Sequence, residues 1–319
     1  MKYLRLAGVL FGAALFLWIF LQSDFPSVWL HLRSFSGWRF AVIFFFYGGI
    51  LGLDTLGWRF ALSRPVQDRV RWDRLFRTRL AGEAMNYIIP TAMVGGEPIK
   101  AVLLSRRYGI PMPEGMASVV IAKTTFAVSM MFFVLTGLAV TLATQAIPDS
   151  VARWVWITFP CLSFLMALFI GFQFFQPFAR SGKFFGRFMP GWFEKIVSKA
   201  KEWDHAIVSY YRQYPDRLLW SFGFHLLGWM AGAIEVYLIL NFLGVSVSPS
   251  LAWSLEALWL LLRSGAFIIP ASLGASEGFL LLLCVGFGIS GVAGLAMALI
   301  RRLREMLWMA LGLVEFSRR

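Results

Sequence analysis

The chain has 319 residues, of which 59% are hydrophobic and 17% are aromatic, and its mean hydropathy is +0.69. Charged residues make up 15% of it, whereas soluble domains carry about 25%, which excludes a soluble globular protein and indicates a polytopic membrane protein. The net charge of +13 does not indicate a nucleic-acid partner, because the basic residues are concentrated in alternate interhelical loops.

Apolar runs and the breaks between them predict the elements in chain order. We expect an all-α fold with about six full spans and two broken or re-entrant helical hairpins, in one transmembrane domain over 1–319. The predicted segments are a helix at 4–22, a helix at 40–62, an interrupted segment at 76–108, helices at 115–144, 152–176 and 218–243, a second interrupted segment at 251–289, and a helix at 292–316.

The distribution of basic residues predicts the orientation of these spans. Arginine and lysine crowd the loop after 62 and the stretch 177–217, whereas the loops at 145–152 and 244–250 contain neither. Basic loops stay in the cytoplasm, so we expect both termini to be cytoplasmic. Within 177–217, aromatic residues recur at helical spacing between lysines, which predicts an amphipathic helix in the membrane interface.

A motif containing proline and glycine and ending in glutamate occurs twice, 180 positions apart. Pro90 and Glu97 bound the first copy, and Pro270 and Glu277 bound the second. Proline interrupts helices, and irregular backbone at membrane depth is stable only where protein or a water-filled cavity covers it. A repeated pair of broken apolar segments is typical of the substrate path of a transporter.

The two copies are predicted to enter the membrane from opposite sides. Three predicted spans separate them, and an odd number of spans inverts the second copy relative to the first. We assign 76–144 as the core of the first repeat and 251–316 as the core of the second. Each core also carries basic residues early in its last apolar helix, Lys123 in the first and Arg301 with its neighbours in the second.

Polar residues within the apolar segments are the candidates for a functional site, because each charge costs roughly 2.5–3.5 kcal/mol at the bilayer centre. The free N–H groups at the start of a half-helix favour an anion, and nearby cations would help to bind a phosphate. We therefore predict a polar cavity that receives a lipid headgroup. The alternative is a set of structural ion pairs, such as Glu97 with Lys123. The candidate substrate-binding residues are Asn86, Pro90, Gly95, Gly96, Glu97, Lys100, Lys123, Arg263, Pro270, Gly274, Glu277 and Arg301.

The sequence contains no pattern that indicates an enzyme. Its three histidines, His31, His205 and His225, are scattered, and no metal-ligand spacing, nucleotide-binding loop or serine nucleophile motif occurs. We predict no catalytic residue, no metal and no cofactor. An intramembrane transferase that uses Glu97 or His225 is the alternative.

The stretch Asn86–Lys100 resembles the signature of the flippase-like transmembrane domain of lysylphosphatidylglycerol synthases and of its stand-alone relatives. Pro270–Glu277 and the triplet Arg301-Arg302-Leu303 are similar to the C-terminal half of that domain. The resemblance covers 40–316 and is greatest to the stand-alone proteins associated with hopanoid biosynthesis. It implies a multi-pass protein of the bacterial cytoplasmic (inner) membrane that translocates an amphipathic lipid, either anionic or hopanoid-type.

The resemblance also implies which residues form the site, namely Gly95, Gly96, Glu97, Lys100 and Glu277. Two departures leave the headgroup open: Lys100 stands where the family pattern has arginine, and Thr-Ala-Met-Val replaces a glycine-rich stretch after Pro90. The resemblance does not include the soluble aminoacyl-transferase domain, so synthase activity is not expected. The alternative function is a membrane scaffold that holds a lipid-modifying enzyme, with lipid-biosynthesis enzymes as partners.

Overall fold

A computed structural model describes residues 24–88, 96–144, 205–265 and 272–318, together with isolated positions at 14–21, at 156–171 and at 202. Every regular element within these residues is a helix, which confirms the predicted all-α class. Pro90, Gly95 and Pro270 lie outside the described residues, as does most of the predicted helices 4–22 and 152–176.

The complete helices are numbered here in chain order. They are α1 (Phe25–Ser34), α2 (Gly37–Ala61), α3 (Arg64–Gln67), α4 (Trp72–Ile88), α5 (Gly96–Tyr108), α6 (Met112–Thr144), α7 (Pro215–Phe242), α8 (Pro249–Gly265), α9 (Ala275–Gly286) and α10 (Gly291–Ser317). By length and composition, α2, α6 and α7 are long and apolar enough to cross a membrane, and α9 is a shorter apolar helix. The protein is therefore a polytopic membrane protein.

Helix starts follow ordinary capping chemistry. Pro215 lies in the first turn of α7, where its missing N–H costs no intrahelical hydrogen bond. Ser290 caps α10, because its hydroxyl accepts a hydrogen bond from the backbone N–H of Ala293 at 3.2 Å. These features fix where the long helices α7 and α10 begin.

Both interrupted segments form two helices, as the sequence predicts. In the first, the 17-residue α4 is followed by the 13-residue α5, and in the second the 17-residue α8 is followed by the 12-residue α9. A long helix comes next in each case, α6 with 33 residues and α10 with 27. The order and lengths of the helices thus repeat along the chain.

The packing of the helices also repeats, with partners exchanged between the halves. Helix α4 of the first half packs against α10 of the second, while α8 of the second half packs against α6 of the first. Helices α2 and α7, which precede the two interrupted segments, pack against each other. This exchange is expected of two repeats related by a pseudo-two-fold axis.

Two apolar cores lie toward opposite ends of the long helices. One includes Ile43 of α2 and Phe133 of α6, and the other includes Trp58 of α2 and Ile121 of α6. The described part of the amphipathic segment, 205–213, is helical and contributes to the second core. The stretches of α2 and α6 between these core residues carry Asp54 and Lys123, so polar side chains occupy the layer between the cores.

The prediction that the two repeats enter the membrane from opposite sides can be tested by cysteine labelling. In a variant with both native cysteines replaced by alanine, Arg71→Cys before α4 and Ser246→Cys before α8 should react with a membrane-impermeant maleimide from opposite sides. Both native side chains are exposed. Asp68→Cys, exposed in the same loop as Arg71, is the same-side control. Labelling of Arg71→Cys and Ser246→Cys from one side would contradict the inverted repeat.

Candidate functional site

A cavity of about 410 Å³ lies between the two apolar cores. The C-terminal ends of α4 and α8 and the first turns of α5 reach it, so both helix breaks adjoin it. Apolar and aromatic side chains line part of it, among them Tyr47, Leu51, Trp58, Phe126, Met130, Trp229, Trp259 and Trp308. Its volume is within the range of pockets that hold small ligands.

Charged side chains line the rest of the cavity, and their formal charges cancel. Six described lining residues are cationic: Arg79, Lys100, Lys123, Arg263, Arg301 and Arg304. Six are acidic: Asp54, Glu83, Glu97, Glu235, Glu256 and Glu305. Charges in a low-dielectric interior are stable when they are paired, and the distances between these groups show that they are.

In the first repeat, Lys100 joins two carboxylates. Its Nζ lies 2.7 Å from Glu83 Oε1 and 3.1 Å from Glu97 Oε2. The ammonium of Lys123 lies 3.4 Å from Glu97 Oε1. The side chain of Lys123 is 43% exposed, whereas Lys100 and Glu97 are buried. Lys123 is therefore a partly exposed cation that lines the cavity, and Glu97 retains Lys100 as a second partner.

A second group of polar residues connects α2, α4 and α7. Arg79 Nη2 donates to Asp54 Oδ2 at 2.9 Å and lies 3.7 Å from Glu83 Oε1. The other oxygen of Asp54 lies 3.3 Å from Nδ1 of His225. All of these side chains except Glu83 are buried. Asp54 thus binds one partner from α4 and one from α7.

In the second repeat, two arginines of α10 bind two glutamates of the neighbouring helices. Arg301 binds Glu256 with both terminal nitrogens, at 2.7 and 2.9 Å, and Arg304 Nη2 donates to Glu235 Oε2 at 2.6 Å. The guanidinium of Arg301 also stacks over Trp259, with 4.2 Å to the ring centroid. Paired guanidinium and carboxylate groups of this kind are held rigidly.

The repeats carry corresponding ion pairs of unequal exposure. Lys123 and Arg302 follow Glu97 and Glu277 by 26 and 25 positions, and each contacts the glutamate of its own repeat. Arg302 Nε donates to Glu277 Oε1 at 2.7 Å, and its side chain is 12% exposed against 43% for Lys123. One of two corresponding pairs is open to the cavity and the other is closed.

The ends of the breaks are capped by the protein's own side chains. Gly96 N–H donates to Asn86 Oδ1 at 2.6 Å, and Gly274 N–H donates to Glu277 Oε2 at 2.8 Å. Gly274 has φ +75°, which favours glycine. These two donors, which the sequence suggested for an anion, are bonded within the protein. Asn86 and Glu277 therefore fix the starts of α5 and α9.

The structure brings five of the predicted site residues to the cavity: Glu97, Lys100, Lys123, Arg263 and Arg301. Four others, Asn86, Gly96, Gly274 and Glu277, are at the adjacent break ends. Asp54, His225 and Glu235 are polar residues within apolar segments that were not among the predicted substrate-binding residues, and neither was Arg79. By sequence, Arg79 continues the run of arginines in the loop after 62, whereas in the structure it lies buried in α4. Its spacing of four positions from Glu83 on one helix was the signal that could have found it.

The fold and the site together define a polytopic helical membrane protein in which two broken helices lie beside a charged internal cavity. The family described as the lysylphosphatidylglycerol synthase TM region matches residues 5–312, and the chain belongs to this family. The match concerns the transmembrane part of those synthases. A UPF0104 membrane protein of Methanothermobacter thermautotrophicus is 26% identical over 274 residues, which cover 82% of this chain and 78% of the relative. No solved structure matches the chain.

The pairing of Arg301 predicts a large difference between two similar substitutions. Arg301→Met would leave Glu256 buried without its bidentate partner, which should cost about 3–5 kcal/mol. Lys123→Met should cost much less, because Lys123 is half exposed and Glu97 keeps Lys100. Thermal unfolding of the purified variants in detergent should show a much lower Tm for Arg301→Met. Equal Tm values would contradict the assigned pairing.

The close approach of α4 and α5 gives a second stability prediction. A Cβ at Gly96 would lie 1.9 Å from the carbonyl oxygen of Gly82, so Gly96→Ala should force the helices apart and cost about 1–3 kcal/mol. A Cβ added at Gly49 of α2 would have no atom within 4 Å, so this glycine serves as the control. Gly49→Ala should leave the Tm unchanged or raised. A stable Gly96→Ala variant would show that the break does not depend on this contact.

Proposed function

We propose that this protein is a lipid translocase of the bacterial cytoplasmic membrane and that the cavity receives the lipid headgroup. The observation that carries the proposal is that ionic and apolar side chains together line one cavity next to the breaks of both repeats. Broken helices at a repeat interface are where secondary transporters bind their substrates. An amphipathic ligand such as a lipid matches a lining that contains both kinds of side chain.

Lys123 is the group that favours an anionic headgroup. Its side chain lines the cavity and is 43% exposed, and its ammonium lies 3.4 Å from Glu97 Oε1. Glu97 remains paired with Lys100 when Lys123 turns toward a phosphate, so the exchange leaves no buried carboxylate unpaired. A neutral hopanoid-type lipid, the second substrate class that we consider, would place no charge against Lys123.

The unequal exposure of the corresponding ion pairs supports alternating access. In the present arrangement the Glu97–Lys123 pair is open and the Glu277–Arg302 pair is closed. Because related repeats can exchange their conformations, we expect a second state in which Arg302 faces the cavity and Lys123 is closed. The lipid would then be released on the side opposite to the one it entered from.

The second candidate function is a membrane scaffold for a lipid-modifying enzyme, and one observation favours it. Most of the cavity's charges are paired within the protein, as they would be if they only held the helices together. The exposure of Lys123 separates the two functions, since a scaffold has no use for a cation that faces an internal cavity. Substitution of Lys123 therefore distinguishes them.

Reconstitution in liposomes tests the proposal. Wild-type protein should move fluorescent phosphatidylglycerol between leaflets, Lys123→Met should lower the initial rate at least tenfold, and Lys123→Arg should retain most of it. Arg106→Met removes the same charge from an exposed position on α5 outside the cavity and should behave as wild type. A parallel series with a labelled hopanoid tests the second substrate class.

Two other outcomes would contradict the proposal. If wild-type protein moves no tested lipid, the translocase proposal is wrong and the scaffold stands. If Lys123→Met moves lipid at the wild-type rate, the headgroup does not depend on Lys123, and the proposed role of the cavity fails.

A further inference from the structure

His225 is a buried base among the residues that line the cavity. It lies on α7, lines the cavity and is 1% exposed. Its Nδ1 lies within hydrogen-bond distance of Asp54, while its Nε2 is buried without a hydrogen-bond partner among the described residues. When Nδ1 carries the hydrogen and donates it to Asp54, Nε2 holds a free lone pair.

The helix packing is shaped around this pair. A Cβ at Gly57 of α2 would lie 2.6 Å from His225 Nε2, and one at Gly228 of α7 would lie 2.9 Å from Asp54 Oδ1. Each helix therefore has a glycine where the other presents its polar side chain. This reciprocal fit holds the imidazole in place, and Phe126 of α6 packs edge-on against it at 5.4 Å.

The charged groups around His225 determine how well a protonated ring is stabilised. Asp54 on α2, Arg79 on α4 and Lys123 on α6 are the charged groups that act most strongly on the ring, and the two cations oppose its protonation. Arg79 is paired with Asp54 and lies near Glu83, and Lys123 is paired with Glu97. The carboxylate of Asp54 contacts the ring directly, so it would stabilise an imidazolium.

The balance of charge in the cavity indicates what a proton on His225 could do. The six cations and six carboxylates that line it cancel when His225 is neutral. An anionic headgroup would therefore bring one uncompensated negative charge into a low-dielectric space, which is unfavourable. Histidine is the lining residue whose ordinary pKa lies near neutral pH. Burial opposes a charge on this ring, whereas an anion bound in the cavity would favour it, so His225 is suited to gain a compensating proton when the headgroup is present.

We infer that Asp54 and His225 form a proton-binding site and that one proton enters the cavity together with an anionic lipid headgroup. The proton comes from the adjacent aqueous phase and binds the Nε2 lone pair, and the resulting imidazolium donates through Nδ1 to Asp54. The charges of imidazolium and headgroup then cancel, and both ligands leave together. This inference rests on the proposed lipid translocation and names its coupled ion.

Calorimetry can count this proton. Binding of a short-chain phosphatidylglycerol to the full-length protein in detergent is measured at pH 7.5 in buffers of different ionisation enthalpy. The wild type should take up about one proton per lipid. His225→Asn keeps a donor toward Asp54 but lacks the Nε2 base, so its uptake should fall below about a fifth of that. Short-chain phosphatidylcholine, which is zwitterionic, should bind without proton uptake.

The matched control is His205→Asn, which replaces an exposed histidine on the helical segment 205–213 and should take up protons as the wild type does. Should His225→Asn fail to fold, Asp54→Asn replaces it in the test. Loss of the carboxylate should move the proton uptake to lower pH by at least about one unit.

The outcomes separate this inference from the proposed function. Lipid transfer by wild-type protein without proton uptake, or unchanged uptake in His225→Asn, would overturn the proton site and leave translocation standing. An Asp54→Asn variant with the wild-type pH profile would overturn it as well. If the wild type neither binds nor moves any lipid, the proposed function itself fails, and the inference fails with it.

Discussion

A charge inside a membrane protein must be paired, and this requirement connects the helices of the protein to one another. Arg301 ties α10 to α8 through Glu256, Arg304 ties α10 to α7, and Arg79 ties α4 to α2. Each pair joins helices that are not consecutive in the chain, so the pairing helps to specify which helices meet as well as neutralising charge. The cavity lies where these connections converge, and Lys123 is the member whose side chain stays open to it.

The helix breaks add the second constraint, because their backbone groups also need partners. Asn86 and Glu277 supply acceptors to the first N–H groups beyond the breaks, so the interrupted helices can end beside the cavity. Glu277 also accepts a hydrogen bond from Arg302 of α10. In the second repeat, helix capping and charge pairing thus depend on the same glutamate, whereas in the first repeat Asn86 caps the break and Glu97 binds the cations.

The fold was largely predictable from the sequence, whereas the contacts of the site were not. Hydropathy and the repeated Pro-Gly-Glu motif predicted the breaks between α4 and α5 and between α8 and α9, because both signals are local. Partners such as Asp54 for Arg79 depend on how α2 crosses α4, which periodicity does not specify. The same limit applies to His225, whose partner Asp54 follows only from the packing of α2 against α7. Family membership is established, while the inverted orientation of the repeats stays a prediction.

The central claim is that a lipid headgroup occupies the charged cavity, and photolabelling tests it most directly. Reconstituted protein is irradiated with phosphatidylglycerol that carries a diazirine on its headgroup, and the modified peptides are mapped by mass spectrometry. The account predicts modification of α6 around Lys123 and Met130 and of α8 around Trp259, reduced by competing unlabelled lipid. Modification confined to exposed apolar residues on the outside of the helices, such as Leu282 and Leu219, would contradict it.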